Sequence, residues 1–139
     1  MRNPIFLLLV CFLSFSVVAQ KHKKAKLSDF SITQKKTIKK TGTQLFLKEV
    51  ISDARCPIGV QCIWEGEAQA NISIYKNGKW IDETIITFSS KKEQENKEWL
   101  SKMRTIPLAK IKSIQLVPYP KEGQKIDSKT YMIKVALNK

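Results

Sequence analysis

Histidine is almost missing from this chain of 139 residues: the one present, His22, stands in a lysine-rich stretch near the N-terminus. No nucleophile–histidine–acid set can be assembled around it, and zinc sites that mix cysteine with histidine lack half their ligands. Cysteine is scarce too. Of three, Cys11 lies inside an apolar N-terminal run, which leaves Cys56 and Cys62 for the rest of the chain. Arginine is the third shortage: Arg2, Arg55 and Arg104 stand among 25 basic residues, set against 12 acidic ones for a net charge of +13. Readers of nucleic acid lean on the planar guanidinium fork, which pairs bidentately with guanine and phosphate. A basic chain built on lysine therefore points away from nucleic acid. It fits a well-solvated surface, or diffuse attraction to an anionic surface such as lipid headgroups or acidic glycans.

What is present first is an export signal. A short basic start runs into an apolar stretch at 5–18 and closes Val17-Val18-Ala19 before Gln20. Small residues at the −3 and −1 positions after an apolar run of this length describe a signal peptide at 1–19, cleaved after Ala19. The run is too short to span a membrane. Cys11 stands in mid-run behind Val10, which disfavours a lipoprotein. A basic tail at 20–29 and a single domain at 30–139 follow, with 24 basic against 12 acidic residues once Arg2 is removed. The expected location is periplasmic, extracellular or at the cell surface, and the expected state is a monomer.

The domain reads as strands. Short alternation at 30–33 and 36–39 suggests one or two outer strands, and 44–51 (QLFLKEVI) a strand covered on both faces. Ala70, Ile72 and Ile74 alternate with polar residues up to Asn77-Gly78, the pair a two-residue type I′ hairpin demands because both positions take positive φ. The returning strand at 80–88 turns Ile86 and Phe88 inward. Strands are also expected at 112–117, stopped by Pro118-Tyr119-Pro120, and at 131–137, with Tyr131, Ile133, Val135 and Leu137 on one face. Between them, 90–103 resembles a capped polar helix (Ser90-Lys91-Lys92-Glu93, with Glu93/Lys97 and Glu98/Lys102 at i,i+4) or a long loop, inserted and outside the core. The expected fold is all-β: a small antiparallel β-sandwich or barrel, immunoglobulin-like in size, with one short helix or long loop around 90–103.

The chemistry-bearing residues crowd into 53–66. Three readings compete for Cys56 and Cys62. A disulfide is favoured, because two cysteines in an exported chain make an even count. A metal site has no histidine nearby and no ligand loop of known spacing. A redox or catalytic thiol lacks the close C-x-x-C geometry and a base. Asp53 and Arg55 read as a modest surface ion pair. Trp64 reads as packing over the disulfide or closing the end of the core, with exposure as a partner anchor the alternative. Asp53, Arg55, Trp64 and Glu65 are the candidate binding loop. Glu65 and Glu67 form the one conceivable acid–base pair, and no catalytic residue, metal or cofactor is assigned.

In full, the stretch is Asp53-Ala54-Arg55-Cys56-Pro57, then Cys62-Ile63-Trp64-Glu65-Gly66. It resembles the D-S-R-C-P-x4-C-x-W-x-G signature of small exported bacterial proteins of uncharacterised function, with Ala54 where that signature has serine. Leu116-Val117-Pro118-Tyr119-Pro120 and the final strand are similar to the same family's C-terminal half. The resemblance implies an exported all-β domain and brings no activity with it. Composition and pattern disfavour an enzyme. They favour a binding or structural module of the cell envelope, with a protease-inhibitor-like protein or a binder of anionic glycan or lipid as the alternative.

Overall fold

The computed structural model describes residues 28–138. The expected leader at 1–19, with Cys11, and the tail up to residue 27, with His22, lie outside them. Six strands form two antiparallel three-stranded sheets: β1 (Phe30–Ile32), β6 (Met132–Leu137) and β5 (Ile111–Val117) in that order, and β2 (Thr43–Asp53), β3 (Ala68–Lys76) and β4 (Lys79–Phe88). No barrel closes, because β1, β5, β2 and β4 all remain sheet edges. One core joins the sheets: Leu45, Leu47, Ala70 and Ile72 from one, Ile32, Leu116, Ile133 and Val135 from the other.

Local chemistry explains the registers. Asn77 and Gly78 both adopt positive φ (52° and 81°), and Lys76 pairs with Lys79 across them, as the turn residues require. Ile86 and Phe88 face inward, as do Tyr131, Ile133, Val135 and Leu137. On β2 the apolar pattern breaks after Leu47, because register shifts at Leu47/Glu49 and Val50/Ser52 interrupt its alternation. Ile51 is consequently exposed, so this strand is covered on both faces only in its first half.

Three expectations are corrected. Residues 36–39 form no strand. The side-chain amide of Gln44 instead donates to the Lys39 carbonyl and accepts from the Lys39 N–H, both at 2.8 Å, supplying the bonds a neighbouring strand would have made. The stretch at 90–103 is a helix, α1 (Glu93–Arg104), preceded by a 3-10 turn (Ser90–Lys92). It belongs to the core: Leu100 is fully buried, Trp99 and Met103 pack beside it, and buried Asn96 donates to the Thr87 carbonyl. Finally, the capping box does not form. Lys92 occupies the N-cap position, and the Ser90 hydroxyl turns away to Glu65. Glu93 and Lys97 do pair, at 2.9 Å.

Strand direction gives the molecule two ends. One gathers the finish of β2, β4 and β5 and the starts of β3, β6 and α1; the 53–66 stretch lies there. The other gathers the Asn77-Gly78 turn, the start of β2 and β5, and the last turn of α1, where Arg104 donates to the Thr43 carbonyl.

Candidate functional site

The stretch from Asp53 to Gly66 is the tip of the β2–β3 hairpin. Pairing continues past both strands: the Ala54 N–H donates to the Glu67 carbonyl and the Cys56 N–H to the Glu65 carbonyl, each at 2.8 Å. Gly66 is essential to this geometry. It sits at φ +68°, and a Cβ there would collide with the Ala54 carbonyl oxygen. Cys56 and Cys62 are disulfide-bonded, with Cα atoms 6.0 Å apart, and close the tip into a short ring. A second loop zips onto it: the Ile58 N–H donates to the Pro120 carbonyl and the Glu122 N–H to the Ile58 carbonyl.

Asp53 and Arg55 are no surface pair. Arg55 is 8 % exposed, and it grips both oxygens of Asp53, Nε to Oδ1 at 2.7 Å and Nη2 to Oδ2 at 2.6 Å. Its remaining donors cross to the other sheet, Nη1 to the Leu116 carbonyl (2.6 Å) and Nη2 to the Pro118 carbonyl (3.0 Å). The Tyr119 ring lies 4.7 Å beneath the guanidinium carbon, and the Tyr131 hydroxyl donates to Asp53 Oδ2 at 2.9 Å. A buried, bidentate guanidinium with its donors satisfied is the geometry in which arginine outperforms lysine. The cluster bolts the end of β2 to the end of β5 and the start of β6. Burial works against the charged form of Asp53, but the bonds from Arg55 and Tyr131 and the adjacent positive charge outweigh it and hold the carboxyl below its ordinary range. Tyr131 is pushed up to about 12, first by burial and then by its bond to the Asp53 carboxylate.

The other two candidates face away from this knot. Trp64 covers neither the disulfide nor the core; it is 67 % exposed, beside a fully exposed Ile63. Ile58 and Val60 are exposed on the same tip, and residues 57–64 carry no charge. Glu65 ties the tip to the start of α1, its Oε1 accepting from the Ser90 hydroxyl (2.6 Å) and N–H (3.2 Å). A cleft of about 310 Å³ opens beneath, between the tip, the start of α1 and β5, lined by Arg55, Glu65, Phe88, Asn96, Leu116 and Tyr119 among others.

The four candidates thus divide. Asp53 and Arg55 position the loop, Glu65 braces it, and Trp64 is free for contact. Tyr119, Tyr131 and Ser90 were not legible as members of the site. Tyr131 carried one signal, a hydroxyl on an inward-facing position, which needs a buried partner. Among the described residues no group of three or more His, Cys, Asp or Glu side chains converges to hold a metal, and no helix is long and apolar enough to cross a membrane. No family model, curated protein or solved structure matches the chain.

Proposed function

We propose that this chain is an exported, non-catalytic binding module that presents the uncharged 57–64 tip to a protein partner of the cell envelope. The observation that carries the reading is the exposure of Ile63 and Trp64 on a tip closed by a disulfide and clamped at its base by Arg55. Large apolar side chains in open water lose the burial that favours them, and a ring already fixed in shape loses little entropy on docking. Trp is the side chain most enriched at binding hot spots. The apolar leader and the likeness of 53–66 to an exported family's signature support export, and the disulfide is compatible with an oxidising compartment. A tip of this kind also suits a recessed apolar socket such as a protease cleft.

The test is retention of envelope proteins by the immobilised wild type and by Trp64→Ala, at low and high salt. The expected result is a partner that survives high salt and binds Trp64→Ala about 30-fold more weakly, as for a truncated hot spot worth ~2 kcal/mol. A partner that elutes with salt and ignores Trp64 supports the anionic glycan or lipid reading instead. No partner for either form favours a structural component of the envelope.

A further inference from the structure

Lysines stand at both ends of the molecule, but near the disulfide tip Lys91, Lys121, Lys125 and Lys129 are interleaved with Glu65, Glu67, Glu93, Glu122 and Asp127. At the end of the molecule opposite the disulfide tip, exposed Lys39, Lys40, Lys76, Lys79, Arg104 and Lys110 converge. Backbone contacts hold them together. Gly42 and Asn77 exchange two hydrogen bonds, which seats the 39–42 segment against the β3–β4 turn, and a Cβ on Gly78 would touch both Lys39 and Lys40. Lys76 and Lys79 face each other across that turn, while Arg104 reaches the Thr43 carbonyl beside it. None of the six forms an ion pair among the described residues, whose four ion pairs all lie elsewhere. The acidic residues at this end are Asp29 and Asp82, and both are occupied by backbone N–H groups, of Leu137 and Glu83 respectively.

Two further features share this pole. Ile38, Trp80 and Ile81 are each about half exposed (49, 55 and 53 %). Ile81 stands at the register shift between Ile74/Asp82 and Tyr75/Trp80, so it has no residue opposite it on β3. In addition, the chain enters the fold here: β1 starts at Phe30, whose ring lies 5.0 Å under the Arg104 guanidinium.

We infer that this basic pole is a docking surface for an anionic lipid bilayer. Clusters of this many lysines beside a surface suffice for attraction to acidic headgroups, each strengthening binding by roughly fivefold. Lysine stems can lie along the interface while the ammonium groups reach the phosphates. Tryptophan favours the headgroup level. Ile38 and Ile81 decide between polyanions, since aliphatic side chains gain by entering the acyl boundary and offer nothing to stack on a sugar ring or a base.

The test is co-sedimentation of the full protein with vesicles of phosphatidylcholine alone or mixed with phosphatidylglycerol. The wild type should bind the mixed vesicles, release at high salt and ignore the neutral ones. Lys39→Gln/Lys40→Gln/Lys76→Gln/Lys79→Gln should lose on the order of a hundredfold or more. Lys91→Gln/Lys121→Gln/Lys125→Gln/Lys129→Gln removes the same charge from the other end and should retain binding. These eight side chains make no ion pair, so both variants should melt with the wild type. Trp80→Ala should weaken binding and Trp64→Ala should not, which keeps this outcome separate from that of the partner test. Equal loss in the two lysine variants, or binding of a soluble anionic polysaccharide that vesicles cannot displace, overturns the inference.

Discussion

Arg55 ties the two sheets together, because it satisfies Asp53 on its own sheet and the carbonyls of Leu116 in the other and of Pro118 just beyond it. Removing one partner of a buried pair leaves the other charged and dry, which costs about 3–5 kcal/mol. Arg55→Met should therefore lower the unfolding free energy by that amount, read as a lower denaturant midpoint with an unchanged slope. Asp53→Asn/Arg55→Met should cost less than the sum of the two single changes, since no uncompensated charge remains. The same knot sets the acid limb of stability. Asp53 titrates lower in the folded chain than in the unfolded one, so its contribution is complete above the unfolded value near 4 and is lost as pH falls through the lower, folded value. Melting temperature followed downward from about pH 5 should fall more steeply for the wild type than for Asp53→Asn. The sequence placed Asp53 and Arg55 side by side but could not show their burial, because both of the carbonyls that receive Arg55 lie more than sixty residues away.

At the scale of elements, legibility tracked how local the physics is. The Asn77-Gly78 turn and the final strand could be read because turn chemistry and period-two alternation reside in the residues themselves. The 36–39 segment alternates equally well yet stays unpaired, since Gln44 already satisfies the backbone of Lys39. The sequence understates helix α1 for a different reason. Its sequence, EQENKEWLSKMR, has a narrow apolar stripe, and a helix that packs against sheet edges needs only that much. Leu100 is fully buried in the shared core, so Leu100→Ala should destabilise by about 2–5 kcal/mol in thermal or chemical unfolding. A peripheral insertion would lose well under 1 kcal/mol. Trp64 misled in the opposite direction: large aromatics are usually covered, and nothing in a single sequence marks one that is not.

At the scale of the whole molecule, composition revealed the amount of charge but not its distribution. Basic residues far apart in sequence, such as Lys39, Lys76 and Arg104, come together only because antiparallel strands and one helix have termini on the same side. Lysines and carboxylates intermix at the tip end while the opposite pole is mostly basic, so the molecule carries an electric dipole along its strands. In the field of an anionic surface it turns before it touches, with the basic pole leading. The longest strand then becomes a spacer. Were the basic pole seated on a bilayer as proposed, the eleven residues of β2 at roughly 3.3 Å each would hold the Trp64 tip about 35 Å away from it.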